Sequence, residues 1–330
     1  MRIGITCDLR NDYLALGYTK EQVAEFDSEE TLQAIARALR SLGYQTEVIG
    51  HGQELCRRLV AGVRWDLVFN ICEGIHGRSR EAQVPAILEL YGIPYTFSDP
   101  LACAVTLDKA AAKRLVQASG LRTAPFRVIA TPAEAEALAA AGGLAYPLFA
   151  KPLAEGTGKG IDARSRIEAP DTLAARCGEL LERHHQPVLV EEFLPGREFT
   201  TGIIGTGPAA RAIGSLEISV RDPAQTGIYS YENKEFGESL VTYARMPPDP
   251  LRTRVEALAV ASYRVLECRD GGRVDVRLDA GGEPCFLEVN PLAGLHPFHS
   301  DLPMVATAEG LSYEALIGSI VDSARARYGL

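Results

Sequence analysis

A chain of 330 residues, 46% hydrophobic and 23% charged, has the composition of a globular protein and the length for two or three packed units. Its formal net charge of -9 and isoelectric point near 5.3 argue against a sequence-independent grip on nucleic acid, which needs a basic face to release counterions. No apolar run approaches the ~18 residues of a membrane span, the first residues read as a strand rather than a signal segment, and seven scattered cysteines without a CxxC pair fit buried thiols in a reducing cytoplasm.

Strand and helix patterns alternate over the first hundred residues. Residues 2–7 form a short apolar strand ending at Asp8, and the polar loop after it, holding Tyr13 and Tyr18, reads as a lid over the sheet edge. Asp27 with Glu30 makes a capping-box signature. Leu32, Ile35, Leu39 and Leu42 follow at helical spacing, and Gly43 closes the helix. A strand at 46–49, a helix near 54–60, a strand at 65–71, a helix near 81–91 and a strand at 93–96 complete the series. That order predicts a mostly parallel sheet with crossover helices, and ligands in such sheets sit beyond the carboxyl ends of the strands. The loop from Cys72 to Glu81 occupies that position.

A second unit, 101–186, offers a helix over 108–119, a strand at 126–129, a helix over 132–141, a strand at 146–150, a glycine-rich loop and a strand at 161–165. The third, 187–330, is strand-rich, with strands at 188–193, 198–204, 212–219 and 240–245. A helix over 251–266, a hairpin over 273–290 and a final helix complete it. The fold class expected is α/β, turning α+β towards the C-terminus.

The hairpin carries the strongest chemical signal. Gly281-Gly282 is a two-residue turn signal, because primed turns need positive φ. A turn centred there pairs Val274 with Val289, Val276 with Leu287 and Leu278 with Cys285, all apolar. The other face then pairs Arg273 with Asn290 and Asp275 with Glu288. One register thus sorts apolar from polar side chains on both strands, as a side-chain period of two requires. Like charges directly opposite each other repel, and a cation between Asp275 and Glu288 would relieve that. Magnesium takes hard oxygen ligands and commonly combines one or two carboxylates with substrate phosphates. A solvated face neutralised by Arg273 is the plainer alternative.

The segment Lys151-Pro-Leu-Ala-Glu-Gly-Thr-Gly-Lys-Gly160 joins two strand patterns. Its glycines can turn backbone N–H groups towards phosphate oxygens, and its lysines add charge. It fails both the Walker A spacing and the dinucleotide fingerprint, so it reads either as a phosphate loop of another kind or as a flexible surface hairpin. A nicotinamide-dependent dehydrogenase is excluded on the same ground: Asp8-Leu-Arg-Asn follows the first strand where the glycine fingerprint belongs.

Taken in order, His76-Gly-Arg, Gly92-Ile-Pro-Tyr-Thr, Leu107-Asp-Lys109, Lys151-Pro with its glycine loop, Gly196-Arg-Glu-Phe-Thr200, Arg273-Val-Asp275, Leu287-Glu-Val-Asn290 and His299-Ser300 resemble the ATP-grasp superfamily. Over nearly its whole length the chain is similar to the D-alanine–D-alanine ligases. The resemblance implies an ATP-grasp fold with an N-terminal Rossmann-like parallel-sheet domain, a cytoplasmic homodimer, ATP and two magnesium ions as cofactors, and amino acids as substrates. Lys109 and Lys151 would hold ATP phosphates under a closing loop of Glu155, Gly156, Thr157, Gly158 and Gly160. Glu191 and the Leu194 backbone would meet the adenine, with Phe193 packed nearby and Glu198 on the ribose. Asp275, Glu288 and Asn290 would carry the magnesium ions, Glu288 bridging them. Arg273 and the Gly294 N–H would stabilise an oxyanion. Ser300 would bind the second amino acid's carboxylate beside His299, and His76 would lie near the first.

The implied reaction is ligation of two amino acids through an acyl phosphate, with release of ADP and phosphate. The departures cluster near the first substrate. Lys234 falls on the lysine of the family's mobile closing loop, but Glu235 stands where a tyrosine is expected. Thr157-Gly158 replaces a serine pair, and Glu25 lies one place off the acidic residue that meets the first ammonium. The expectation is therefore the family's reaction with an altered choice of amino acid. Other readings are an ATP-grasp peptide or amide ligase of specialised metabolism and a non-catalytic ATP-binding protein.

Overall fold

A computed structural model describes residues 1–220 and 241–330. β1 (Arg2–Cys7), β2 (Gln45–Gly50) and β3 (Leu67–Ile71) form a parallel sheet in the order β2-β1-β3, with Ile5 beside Phe69. The segment at 93–96 contributes only an isolated bridge from Tyr95 to Val68. Ser28, not Asp27, caps helix Glu29–Ser41, its side chain accepting from the Thr31 N–H. Asp27 is held one residue earlier, because its backbone bonds to Asp8 and Arg10 at the end of β1. Leu32, Ile35 and Leu39 are buried, while Leu42 is partly exposed beyond the last turn.

β4 (Phe126–Ile129), β5 (Leu148–Pro152), β6 (Arg166–Ile167) and β7 (Val188–Glu192) form an antiparallel sheet in the order β4-β7-β5-β6. The expected strand at 161–165 is instead a turn and a short 3-10 segment capped by Asp162. The strand that follows has only two residues. Ahead of this sheet lies helix Pro100–Leu107, which the sequence reading passed over despite its Asp99-Pro100 start. The next helix, Lys109–Ala118, begins at an Asp108 cap and so sets Lys109 in its first turn.

β8 (Glu198–Ile204), β9 (Arg211–Val220), β10 (Val241–Arg245), β11 (Gly271–Leu278) and β12 (Pro284–Asn290) make a five-stranded antiparallel sheet in the order β10-β9-β8-β11-β12. Helix Pro250–Val265 buries Val255, Ala259 and Tyr263 against Val274, Val276 and Phe286 of this sheet. Two helices, Asp301–Ala308 and Tyr313–Tyr328, stand where one was expected. The last of them buries Leu316, Ile317 and Ile320 against Ile3, Ile5, Leu39 and Phe69 of the N-terminal core. Each fully buried side chain of that size stabilises by about 1.5–3 kcal/mol, so this packing ties the chain's two ends into one body. No helix among the described residues is long and apolar enough to cross a membrane.

The β11–β12 register agrees with the alternation at its functional half: Arg273 pairs with Asn290, Val274 with Val289 and Asp275 with Glu288. A bulge then shifts it by one, so Val276 faces Phe286 and Leu278 faces Pro284, not Leu287 and Cys285. The turn is not a two-residue one either. Asp279 accepts the N–H groups of Gly281 and Glu283, and only Gly282 has positive φ (79°). The bulge sends Phe286 into the core and leaves Leu287 on a small pocket between the two antiparallel sheets, a usual role for bulges beside binding sites.

Candidate functional site

Two adjoining spaces meet at Glu288. A cavity of about 1150 Å³ runs from the carboxyl ends of β1 and β3 to β12 and the loop after it, and both the cavity and the smaller pocket behind it are lined by Glu288. Phe149, Phe193, Leu194 and Leu287 give the smaller pocket its apolar walls, with Lys151, Glu191 and Glu198 as polar groups. Arg166 and Arg277 lie over the Phe193 ring at 4.6 and 4.9 Å.

Behind this pocket sits a buried charge cluster. Glu191 forms ion pairs with Lys151 at 2.9 Å and with Lys113 at 2.8 Å, and Lys113 also donates to Thr123. Burial opposes ionisation of Glu191, yet the two ammonium groups hold its carboxyl at about 2. Burial pulls Lys113 below the usual lysine range, whereas Glu191 and Glu288 raise Lys151 against the same penalty. Two cations against one anion leave a buried positive charge, which suits a phosphate group. Lys113 escaped the sequence reading. Its spacing of four from Lys109 on one helix was the available signal.

At the hairpin, Arg273 holds Asp275 through one oxygen and reaches Asp301 at 3.2 Å. Lys109 lies 3.5 Å from Glu288 and also donates to the Glu155 carbonyl, so it bridges the hairpin and the glycine loop. Burial pushes Asp275 above the usual carboxylate range against the pull of Arg273, and the facing Glu288 adds to the push. Asp275 Oδ1 and Asn290 Nδ2 are buried without a hydrogen-bond partner among the described residues. An acceptor lacking a donor fits a cation, and an amide N–H lacking an acceptor fits an anion. Magnesium carried on phosphate oxygens brings both. No group of three His, Cys, Asp or Glu side chains among the described residues could hold a metal unaided.

The glycine loop folds over this edge. Thr157 adopts φ 49°, a left-handed conformation that costs a β-branched residue about 1–2 kcal/mol. The residue lines the cavity, and its hydroxyl is buried without a hydrogen-bond partner among the described residues. Gly158 and Gly160 have positive φ. Gly158 lines the small pocket, while a Cβ on Gly160 would strike Pro152 at 2.6 Å. On the far side, Ser300 Oγ accepts from the His296 N–H at 3.0 Å, which leaves its own hydroxyl proton to donate. A Cβ on Gly294 would meet that oxygen at 2.8 Å, so the close approach needs glycine. His299 stacks on His296 at 4.6 Å, and both line the cavity.

Two residues expected at the first substrate have other neighbours in this structure. His76 is exposed and lies against Tyr18, with the two polar atoms 3.2 Å apart; it does not line the cavity. Gly74 and Gly77, both at positive φ, turn the loop so that Glu73 lines the cavity in its place. Glu25 does line the cavity, but its carboxylate is already taken: Arg80 donates to it at 2.9 Å, the Gly156 N–H at 2.6 Å, and Lys159 lies at 3.5 Å. Burial opposes its ionisation, yet Arg80 and Lys159 hold it at about 2, so it latches the glycine loop to the N-terminal sheet. Glu155 is similarly engaged, with Lys159 at 3.3 Å and Gln186 at 2.7 Å. Lys234 and Glu235 lie outside the described residues.

Residues 115–322 match the family described as D-ala D-ala ligase C-terminus. The D-alanine–D-alanine ligase of Bordetella petrii is 36% identical over 299 residues, covering 88% of this chain and 86% of that protein. Among solved structures, the D-alanine–D-alanine ligase of Bacillus anthracis superposes with a TM-score of 0.75 at 22% identity over 100% of this chain and 99% of that one, and its complex with ATP with a TM-score of 0.73. The D-Ala:D-Ser ligase VanG of Enterococcus faecalis gives a TM-score of 0.75 at 22% identity, over 98% of this chain and 99% of that one.

Proposed function

The chain belongs to the D-alanine–D-alanine ligase family of ATP-grasp enzymes, and from that premise we propose that it joins two amino acids with ATP and magnesium as cofactors. The observation that carries the reading is the edge where Asp275, Glu288, Asn290 and Arg273 converge with Lys109 between the smaller apolar-walled pocket and the larger cavity.

An amine cannot displace hydroxide from a carboxylate at neutral pH, so the carboxylate must first be activated. The γ-phosphoryl of ATP passes to one carboxylate oxygen of the first amino acid, giving an acyl phosphate and ADP. The amine of the second attacks the acyl carbon, the C–O bond to phosphate breaks, and phosphate leaves with that oxygen. Lys151 and Lys109 supply fixed positive charge to the phosphates, and Glu191, braced by Lys113, holds Lys151 in place. Asp275, Glu288 and Asn290 would hold magnesium, which neutralises phosphate charge. Arg273, fixed by Asp275 and Asp301, and the Gly294 N–H are the donors proposed for the tetrahedral oxyanion. Ser300 is the donor proposed for the second substrate's carboxylate. Thr157 and its glycine neighbours would keep water from the acyl phosphate.

The leucine-walled pocket behind Glu288 suits adenine, with the Leu194 backbone and Glu198 on its polar edge. Seven free cysteines, six of them buried, support a reducing cytoplasm, and a homodimer is the assembly proposed with it. The test is ADP release over pairs of D- and L-amino acids, with the product identified by mass. Amide formation stoichiometric with ADP is the expected result, and ADP release with no pair would overturn the reading.

A further inference from the structure

The charge at the first-substrate end of the cavity does not balance. Among the described residues, each cation there is engaged elsewhere. Arg80 is spent on Glu25 and the Ala154 carbonyl, Lys159 on Glu25 and Glu155, Lys109 on Glu288 and the Glu155 carbonyl, and Arg273 on Asp275 and Asp301. Arg10 lies beside Asp27 and donates to the Ala24 carbonyl at 3.1 Å. Glu73 and Glu81 also line this end, and neither has a hydrogen-bond or ion-pair partner among the described residues. Glu81 is only 8% exposed. Burial, and then the carboxylates around it, push Glu73 well above the usual range. Burial raises Glu81 to about 7, with Arg80 pulling the other way.

Glu73 is half-buried and Glu81 nearly buried, and two carboxylates partly stripped of water in one pocket without a donor or cation are unfavourable. Such an arrangement persists where a ligand completes it. A single α-ammonium would satisfy one of them. Glu25, the residue nearest in sequence to the family's ammonium acceptor, is already closed on Arg80 and Gly156. We infer that the first substrate is an amino acid with a cationic side chain, its α-ammonium and side-chain cation shared between Glu73 and Glu81. The inference rests on the ligase reading and names the substrate class of that same site.

The experiment compares alanine with diaminobutyrate, ornithine, lysine and arginine, in both configurations, as first substrate. Each is paired with itself and with D-alanine, and ADP release is followed with product mass. A kcat/KM for at least one basic amino acid about 100-fold above that for alanine is expected, a ratio within reach of a pocket built around a charge. Glu73→Gln and Glu81→Gln should each lower that ratio at least about tenfold, chiefly through KM. Glu81→Gln should at the same time raise the melting temperature of the empty protein, because it removes an uncompensated buried charge. A lowered melting temperature would mark Glu81 as a structural residue and overturn the inference. Release led by alanine would overturn it and leave the ligase reading standing, whereas release with no amino acid would overturn both.

Discussion

At the nucleotide end of the cleft, Lys113 and Lys151 close on Glu191, Arg273 closes on Asp275 and Asp301, and Lys109 spans Glu288 and the glycine loop. At the other end, Glu73 and Glu81 face the same cavity with no hydrogen-bond or ion-pair partner among the described residues. The first region holds its side chains in place before any ligand arrives, and around Glu191 two lysines face one carboxylate. The second leaves carboxylates for the ligand to pair. A site assembled this way would receive ATP on a preformed frame and choose its amino acid by charge. Preorganised donors cost no rearrangement during reaction, whereas unpaired groups discriminate strongly because a wrong ligand leaves them unpaired.

That contrast can be broken most severely at the hairpin. Asp275→Asn or Glu288→Gln should each lower turnover by about 10³-fold or more, as measured by coupled ADP release. Activity within tenfold of the parent in both would remove the phosphate-transfer role from this edge. Next in size is Glu191→Gln, which strands Lys113 in a fully buried position. A loss of about 3–5 kcal/mol in urea-unfolding stability is expected at pH 7. Glu191 is held at about 2, below its ordinary 4.5, so its contribution is complete above about pH 4.5 and fades as pH falls towards 2. The gap between parent and variant should therefore narrow on acidification. A gap that widened would contradict the ion-pair account.

Glu25→Gln should act more mildly, by about 1–3 kcal/mol, because the amide can still accept from the Gly156 N–H. Faster tryptic cleavage after Lys159 would report the loosened latch, and an unchanged rate would deny it. His76→Ala should be smallest, within about 0.5 kcal/mol in stability and about twofold in kcat/KM. A tenfold loss there would return His76 to the substrate site and undo the contrast.

The hairpin shows how far the sequence could be read. Period-two alternation sorted Arg273, Asp275, Glu288 and Asn290 onto one face because each apolar neighbour alternates with a polar one. Past Glu288 the residues Leu287, Phe286 and Cys285 are all apolar, so nothing marks which one the bulge skips. The helix start was ambiguous for a related reason: Asp27 and Ser28 both cap well, and only the backbone bonds from Asp27 to Asp8 and Arg10 decide between them. In the loop after β3 the resemblance drew attention to His76, while the turns at Gly74 and Gly77 set which side chain enters the cavity. Glu73 lies two residues past the end of β3, where ligands of parallel sheets gather, and that position was the better guide.

The reaction itself is tested most directly by following oxygen. With the first amino acid labelled with ¹⁸O in its carboxylate, activation through an acyl phosphate must carry one labelled oxygen into the phosphate released with ADP. Mass analysis of that phosphate should show one ¹⁸O per turnover, with one remaining in the amide. Unlabelled phosphate formed alongside a genuine amide product would contradict the mechanism.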